Sequence, residues 1–299
     1  MKRLIATVSA LIILYISLFS PTSSQATSHQ TIQVIAVENF YGELVKMLGG
    51  PYVSVISILS NPNQDPHLLE ASPKIARTYA SAQLLVYNGA NYNPWLPRLL
   101  SSSRKNRKPH TEIVAADLVG KKPGDNPHLW YLPATMPAVA RAVSAFLVQT
   151  DPAHKADYAV RLTRFIDSIK PIDQKIAELR QYYQGEPVTA TESVFGYMAE
   201  AIGLTMHNKR FQLAAMNETE PSAADVAAFE HDLRTRQVRV LIYNNQASDM
   251  STQRMLKIAQ QSHVPIVHVT ETEPDGKTYH QWMLEQLNAL QRALEGQVQ

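Results

Sequence analysis

The chain has 299 residues and a formal net charge of +2 at pH 7, from 28 Lys and Arg against 26 Asp and Glu. This near balance, without a basic stripe along the chain, argues against nucleic acid as a partner. The chain contains no cysteine, which excludes a disulfide framework and a zinc site with cysteine ligands.

Residues 1–26 have the features of a secretory signal peptide. Met1-Lys2-Arg3 is positively charged, residues 4–19 are almost wholly apolar, and Ser24-Gln25-Ala26 offers small residues for cleavage. The alternative is a membrane anchor, but the apolar stretch is shorter than the roughly 20 residues that a span needs. With no cysteine to carry a lipid, we expect a protein released into a bacterial periplasm. About 273 residues would then remain, enough for two domains.

Residues 27–150 are expected to form a first α/β lobe, because short β-rich runs alternate there with helical patterns. The predicted strands cover residues 33–37, 53–58, 84–87 and 112–114. One helix is predicted over 40–48, with Gly49-Gly50 as its C-terminal stop, and another over 135–150. A further helix opens at Ser72-Pro73, with Ser72 as its N-cap.

Residues 151–184 are predicted to form a helical connector, since this stretch lacks glycine and its apolar residues fall near helical spacing. Pro171 should either end one helix and start the next or kink a single long helix. The alternative is an ordinary helix that packs within one domain.

Residues 185–299 repeat the pattern of the first lobe. The predicted strands cover 188–191, 238–243 and 265–270, and the predicted helices lie near 195–201, 223–236, 252–261 and 279–295. Alternation of this kind predicts parallel sheets with helices on both faces. Each half therefore has the size and pattern of a small, doubly wound α/β domain.

Two tripeptides in the first half carry the strongest chemical signal. They are Asp65-Pro66-His67 and Asn126-Pro127-His128, and both lie where a predicted strand gives way to a helix. Each proline fixes its own φ and biases the preceding residue toward an extended conformation, so each imidazole stands on a stiff loop. Together with carboxylates in matching loops of the second half, the two histidines predict a metal site between two lobes.

Four motifs give the chain a family resemblance. They are Asp65-Pro66-His67 with Leu69-Glu70-Ala71-Ser72-Pro73, Asn126-Pro127-His128-Leu129-Trp130, Thr191-Glu192-Ser193-Val194-Phe195-Gly196-Tyr197, and Glu218-Thr219-Glu220-Pro221-Ser222. From about Gln33 to its C-terminus, the chain resembles the solute-binding proteins of bacterial zinc and manganese ABC importers (cluster A-I). The resemblance implies two doubly wound parallel-sheet lobes, a single long linking helix, and one divalent cation held in the cleft by two side chains from each lobe.

The resemblance also implies the ligands. His67 and His128 match the first-lobe ligands, and Glu192 stands at the third position, which is often histidine. The fourth ligand would be a carboxylate in the loop after the last strand. We expect Glu271 there, because it ends the predicted strand, with Asp275 as the alternative and Glu273 as a weaker third. Glu192 has a second possible role as a capping carboxylate for the helix that follows it.

Two imidazoles with two carboxylates form a hard ligand set, which favours Mn²⁺ over Zn²⁺, although intrinsic affinity rises from Mn²⁺ to Zn²⁺ for any such site. The ion is expected as a transported solute, one per monomeric chain, with a membrane permease of an ABC importer as partner.

Two functions of other classes are alternatives to metal transport. A periplasmic metal-dependent hydrolase is disfavoured because the chain has no His-Glu-x-x-His helix, Gly-x-Ser-x-Gly elbow or phosphate-binding glycine loop. An adhesin-like surface role would be additional to metal binding. Trp130 and Tyr131 are expected to pack around the site, whereas Tyr92, Trp95 and the basic run 103–108 are expected to form an exposed connection.

Overall fold

Two four-stranded parallel sheets, one in each half of the chain, form the framework of the protein. The computed structural model describes residues 31–61, 73–103, 110–247 and 249–297. The predicted signal peptide, His67 with its tripeptide, the Ser72 N-cap and residues 104–108 of the basic run lie outside the described residues. Within the described part, no helix is long and apolar enough to cross a membrane.

The first sheet has the strand order β2-β1-β3-β4, and all its described pairings are parallel. Its strands are β1 (Ile32–Glu38), β2 (Val53–Leu59), β3 (Leu84–Tyr87) and β4 (Thr111–Val114). In register, Val34 of β1 lies between Val55 and Leu84. The interior strands β1 and β3 are buried almost throughout, which explains their nearly continuous apolar sequences.

Five helices of the first half surround this sheet: α1 (Asn39–Gly49), α2 (Pro73–Ser81), α3 (Leu96–Ser103), α4 (Ala115–Leu118) and α5 (Thr135–Thr150). Helix α1 ends where the glycine pair predicts. Gly50 has φ of +54°, and its backbone N–H donates to the carbonyl of Lys46, a conformation that glycine adopts without steric cost.

Helix α6 (Lys155–Tyr183) joins the two halves. It has 29 residues, so it is about 44 Å long. Pro171 lies inside it, so the alternative of two successive helices is wrong and the single long helix is correct. The proline is exposed, and the buried side chains that hold the helix on both sides of it are Tyr158, Phe165, Ile169, Ile172, Ile176 and Leu179.

The second sheet repeats the strand order of the first, as β6-β5-β7-β8, with parallel pairings. Its strands are β5 (Pro187–Ala190), β6 (Thr205–Met206), β7 (Val240–Asn244) and β8 (Ile266–Val269). The helices are α7 (Gly196–Ile202), α8 (Lys209–Met216), α9 (Ala223–Arg234), α10 (Met250–Gln261) and α11 (Tyr279–Leu294). We call the first sheet with its helices the first lobe and the second sheet with its helices the second lobe. This arrangement of two parallel-sheet α/β lobes confirms the predicted fold class.

Helix α6 packs on α1 and α5 of the first lobe and on α7 and α11 of the second. One apolar core accordingly extends through both sheets, and a smaller one lies under α8, α9 and α10. Thr31–Gln299 form one compact unit, and the boundaries at 150 and 184 stay predictions. The carboxyl ends of the parallel strands, where such sheets bind ligands, carry the side chains described next.

Candidate metal centre

Three of the four side chains predicted to bind metal lie together in the structure. Ligand atoms of His128, Glu192 and Glu271 all lie within 4.8 Å of one another. The Nε2 atom of His128 is 3.6 Å from Glu192 Oε1 and 3.6 Å from Glu271 Oε2. All three side chains are buried. The fourth predicted residue, His67, lies outside the described residues.

Strand ends position the two carboxylates. Glu192 is the second residue after β5, and Glu271 is the second residue after β8. His128 stands in the loop between α4 and α5, immediately before a short 3-10 turn at Leu129–Tyr131. The site therefore combines one loop of the first lobe with two loops of the second.

Asn126 fixes the orientation and tautomer of His128. Its side-chain oxygen accepts hydrogen bonds from the backbone N–H of His128 at 3.1 Å and from ring atom Nδ1 at 2.7 Å. The amide nitrogen of Asn126 donates to the carbonyl of Ser193 at 2.7 Å, which identifies the other amide atom as the acceptor. Ring atom Nδ1 must then carry the hydrogen, and Nε2 presents its lone pair to the carboxylates.

The Nε2 atom of His128 is a fitting metal ligand. It is buried, and it has no hydrogen-bond partner among the described residues. A buried polar atom without a partner is costly, and a cation at this position would satisfy it. In metal sites, the second ring nitrogen of a histidine ligand regularly hydrogen-bonds a carboxylate, a backbone carbonyl or water, and the side-chain oxygen of Asn126 takes that place here.

Asn244, the last residue of β7, connects the two carboxylates. Its side-chain nitrogen donates to Glu192 Oε2 at 2.7 Å and to Glu271 Oε1 at 2.8 Å. Its side-chain oxygen accepts the backbone N–H of Gln246 at 3.0 Å. Because both amide hydrogens and the amide oxygen are used, the orientation of Asn244 is fully specified.

Tyr92 contacts the same centre from the first lobe. Its hydroxyl donates to Glu271 Oε2 at 2.9 Å, and its ring packs edge-on against His128 with the centroids 5.9 Å apart. Burial, followed by the charge of Glu271, raises the pKa of this hydroxyl well above its usual range, so it stays a donor. The prediction that Tyr92 lies in an exposed connection is wrong, since the residue is only 1% exposed.

Trp130 and Tyr131 surround the site as predicted, and both are fully buried. The ring of Trp130 packs edge-on against His128 at 5.3 Å between centroids. The hydroxyl of Tyr131 donates to the carbonyl of Thr270 at 2.8 Å, one residue before Glu271. These rings exclude water, which strengthens electrostatic interactions within the centre.

The loop that carries Glu271 is also held from its own lobe. The side-chain oxygen of Gln246 accepts the backbone N–H groups of Glu271 at 2.6 Å and Thr272 at 2.9 Å. Farther along the loop, Asn39 of the first lobe donates to the carbonyl of Glu273 at 2.7 Å and accepts its backbone N–H at 3.1 Å.

The other two candidates in this loop lie elsewhere. Asp275 is exposed in the turn that follows and does not belong to the group of converging ligand atoms. Glu273 is buried, and burial followed by the charge of Glu43 raises its pKa to about 8. Glu192, for its part, precedes a 3-10 turn at Ser193–Phe195 without a side-chain capping bond, so the structure gives the capping alternative no support.

A further buried carboxyl, Glu38, ends β1 close to this centre. Burial raises its pKa to about 8, so the group is mainly neutral at pH 7. Its charged form contributes to the raised pKa of Tyr92.

Sequence reasoning missed Asn244 and the roles of Asn126 and Tyr92. A signal existed for Asn244, because a single polar residue at the carboxyl end of an otherwise apolar interior strand points to the ligand-binding edge of the sheet. Asn126 approaches the second lobe so closely that a Cβ on Gly196 would lie 2.9 Å from its amide nitrogen. No local pattern predicts that contact.

Comparison with known proteins agrees with the fold. The family model described as "Zinc-uptake complex component A periplasmic" matches residues 34–293. The manganese ABC transporter substrate-binding lipoprotein PsaA of Streptococcus anginosus is 22% identical over 315 residues, covering 98% of this chain and 99% of the relative. The metal ABC transporter substrate-binding lipoprotein ScbA of Streptococcus cristatus is 22% identical over 294 residues, covering 92% and 93%.

Solved structures share the fold. The periplasmic zinc-binding protein TroA from Treponema pallidum superposes with a TM-score of 0.73 at 16% identity, over 90% of this chain and 100% of that one. Zn(II)-bound AdcA from Streptococcus pneumoniae gives a TM-score of 0.66 at 19% identity, over 89% of this chain and 58% of that one. With a family model that spans nearly all described residues, the chain belongs to the family of zinc-uptake complex component A periplasmic proteins.

Proposed function

We propose that the protein captures one divalent transition-metal ion, Mn²⁺ or Zn²⁺, outside the cytoplasm and delivers it to the membrane permease of an ABC importer. The observation that carries the proposal is the buried convergence of His128 Nε2 with Glu192 Oε1 and Glu271 Oε2, each 3.6 Å from the imidazole nitrogen. The ion is cargo in this role, and the protein is a binding protein and not an enzyme. The names of the relatives, which refer to manganese, zinc and ABC transport, support it.

The proposed ligand set is His67, His128, Glu192 and Glu271. His128 contributes a neutral nitrogen, and each glutamate contributes a charged oxygen. One imidazole and two carboxylates balance the charge of a divalent ion, and imidazole and carboxylate are ligands that these metals accept. His67, which follows β2 in the sequence, completes the set in the proposal.

Metal binding would join the two lobes at the site. His128 comes from the first lobe and both glutamates from the second, so the ion adds bonds to contacts that already cross the same boundary. Among these contacts are the hydrogen bonds from Asn126 to Ser193 and from Tyr92 to Glu271. Because α6 packs on helices of both lobes, we expect small rotations and loop movements on binding and not a wide hinge closure.

The metal affinity should fall with decreasing pH. An imidazole binds metal only in its neutral form, so protonation of the histidine ligands competes with the ion as the pH falls through the histidine range. We place this chemistry in the periplasm, with residues 1–26 as the signal peptide and a monomeric chain as the binding unit.

The first test is to purify the protein from the periplasm without chelators and to determine bound metal by native mass spectrometry with elemental analysis. We expect one Mn²⁺ or Zn²⁺ per chain. A chain that carries neither ion, and that binds neither in a competitive titration, would refute the proposal.

The second test locates the site by substitution. His128→Ala should remove nearly all tight binding while the fold is retained, and His67→Ala should do the same. His268→Ala is the matched control, because His268 is exposed on β8 and hydrogen-bonds Asn245, and it should bind metal like the parent. If the His128 variant keeps an affinity within about tenfold of the parent, the metal binds elsewhere.

A further inference from the structure

We propose that Met216 is an oxidation site for hydroperoxides and that its sulfoxide loosens the turn that follows Glu192. The weaker metal binding that we expect from this change rests on the proposed function. The juxtaposition that carries the inference is a thioether beside a serine hydroxyl. Ser193 Oγ donates to Met216 Sδ at 2.9 Å, and Ser193 is the next residue after Glu192 in the chain.

The sulfur of Met216 can be reached from solvent. Met216 is the last residue of α8, it is half-buried, and it lines a cavity of about 640 Å³. The exposed residues Glu200, Lys209 and Leu213 line the same cavity, so the cavity opens to solvent. A molecule as small as hydrogen peroxide can therefore approach the thioether.

Ser193 connects this sulfur to the candidate metal centre. It begins the 3-10 turn Ser193–Phe195, and α8 packs against that turn. The carbonyl of Ser193 accepts the side-chain N–H of Asn126 at 2.7 Å, and the side-chain oxygen of Asn126 bonds ring atom Nδ1 of His128 at 2.7 Å. A shift of the turn therefore displaces both Glu192 and the amide that orients His128.

Oxidation would convert the sulfur from a thioether to a sulfoxide. A lone pair of the sulfur forms the S–O bond, the O–O bond of the hydroperoxide breaks, and the second oxygen leaves as water or an alcohol with the proton of the transferred oxygen. The sulfur loses two electrons and the hydroperoxide gains them. No further reactant is needed.

The sulfoxide changes the hydrogen bonding of Ser193. A thioether sulfur is a weak acceptor, whereas a sulfoxide is a polar group whose oxygen is a strong one. The new oxygen forms on a lone pair that Ser193 does not occupy, so the hydroxyl must turn away from its present position to bond it. This movement is what we expect to loosen the turn at Ser193–Phe195.

The first test treats the metal-free protein with hydrogen peroxide, removes the peroxide with catalase, and locates oxidised residues by peptide mass spectrometry. We expect oxidation of Met216 and faster hydrogen exchange at the backbone amides of Ser193–Phe195. Four buried methionines should stay reduced and serve as internal references, namely Met136, Met198, Met255 and Met283.

Two outcomes of this test would overturn the inference. One is a Met216 that stays reduced while Met250, which is 89% exposed, is fully oxidised. The other is an oxidised Met216 with unchanged hydrogen exchange in the turn.

The second test measures metal binding by calorimetric titration before oxidation, after it, and after enzymatic reduction. Oxidation should weaken Zn²⁺ and Mn²⁺ by about tenfold, the lower end of the usual effect of disturbing the partner of a metal-binding histidine. Methionine sulfoxide reductases for both sulfur epimers should restore the affinity. The affinity loss should follow the oxidised fraction of Met216, and a loss below about twofold at full oxidation would contradict the inference.

Met216→Leu should abolish the response to peroxide, because leucine keeps an apolar side chain of similar size and carries no sulfur. Met206→Leu is the matched control, since Met206 is half-buried and lines the same cavity. This control should respond to peroxide as the parent does. If Met216→Leu keeps the response, or if Met206→Leu removes it, the effect belongs to another residue and the inference fails.

The failure of the proposed function would be recognised separately. A parent that binds neither Zn²⁺ nor Mn²⁺ refutes the proposed function, whereas mass spectrometry and hydrogen exchange decide the oxidation of Met216 without any metal. If Met216→Leu fails to fold, oxidation and enzymatic reduction of the parent decide the inference without a variant.

Discussion

Asn126 and Asn244 show how neutral side chains organise a candidate site whose predicted ligands are ionisable. Asn126 holds Nδ1 of His128 and reaches across to the carbonyl of Ser193, whereas Asn244 holds one oxygen of each glutamate. An amide offers donors and an acceptor without adding a charge. Two amides therefore orient three predicted ligands without adding a charge of their own.

Asn126→Leu should weaken Zn²⁺ and Mn²⁺ by about 10- to 100-fold each, the usual effect of losing the partner of a metal-binding histidine. The ratio of the two affinities should stay near that of the parent, because the carboxylates keep their hydrogen bonds to Asn244. Calorimetric titration measures the affinities, and nitrogen chemical shifts of His128 report its tautomer. Unchanged affinity together with a changed tautomer would contradict the role assigned to Asn126.

Glu271→Gln should weaken Mn²⁺ and Zn²⁺ by at least about tenfold, or roughly 1.4 kcal/mol, because it removes a charged oxygen beside His128. Asp275→Asn provides a matched control four residues along the same loop, where the side chain is exposed. It should change either affinity by less than about twofold. A larger loss for Asp275→Asn in the same titration would reverse the assignment of the fourth ligand.

At the scale of the elements, the predicted strands and helices agree closely with the structure where the sequence is apolar and periodic. The predicted helix over 135–150 is α5 (Thr135–Thr150), and Ser222 caps α9 with its side chain accepting the backbone N–H of Asp225. The elements that sequence reasoning missed are α3, α4, α8 and β6. These elements are short. Strand β6 has only two residues, so its sequence cannot be distinguished from that of a loop.

The candidate site could be predicted only in part, because only some of its residues belong to local sequence patterns. His128 and Glu192 stand in motifs of consecutive residues, which a sequence displays directly, whereas Glu271 was expected only from its place at the end of a predicted strand. The hydrogen bond from Tyr92 to Glu271 joins residues 179 positions apart, and those of Asn244 span 52 and 27 positions. Such pairings follow from the packing of strands and loops and leave no local pattern.

Pro171→Ala tests why α6 tolerates an interior proline. Proline removes one backbone hydrogen bond and clashes with the preceding turn, and it lowers helix stability by about 3 kcal/mol relative to alanine. Since Pro171 is exposed, alanine should raise the free energy of unfolding by about 1–3 kcal/mol. Denaturant unfolding of the metal-free protein measures this difference.

Pro152→Ala is the control for that comparison, because Pro152 begins a 3-10 turn before α6, where proline is well accommodated. It should leave the free energy of unfolding unchanged or slightly lower. A destabilised Pro171→Ala variant would mean that the two lobes require the helix geometry that proline imposes.

At the scale of the whole molecule, two buried carboxyl groups, Glu38 and Glu273, and the half-buried Glu43 affect stability. Burial raises the pKa of Glu38 to about 8, of Glu43 to about 7 and of Glu273 to about 8, from the ordinary value of 4.5 for a glutamate. Between pH 4.5 and these values the folded chain binds more protons than the unfolded chain. Stability from these groups is therefore greatest below pH 4.5 and is lost as the pH rises toward 8.

Glu38→Gln should reduce this loss. Relative to the parent, the free energy of unfolding of the metal-free variant should increase by up to about 1.4 kcal/mol per pH unit between pH 5 and pH 8. Denaturant unfolding at several pH values measures the difference, and Glu220→Gln, at an exposed position, should track the parent throughout. Parallel curves for parent and Glu38→Gln would show that Glu38 ionises normally in the folded chain.

The loop after β8 belongs to the second lobe by sequence, yet much of its hydrogen bonding is to the first lobe. Tyr131 binds the carbonyl of Thr270, Tyr92 binds Glu271, and Asn39 pairs with the backbone of Glu273. A separation of the lobes that keeps these bonds would carry Glu271 along with His128 and withdraw Glu192 alone. The ion would then lose its ligands in sequence, with Glu192 the first to leave and the histidine side of the cleft the last to hold it.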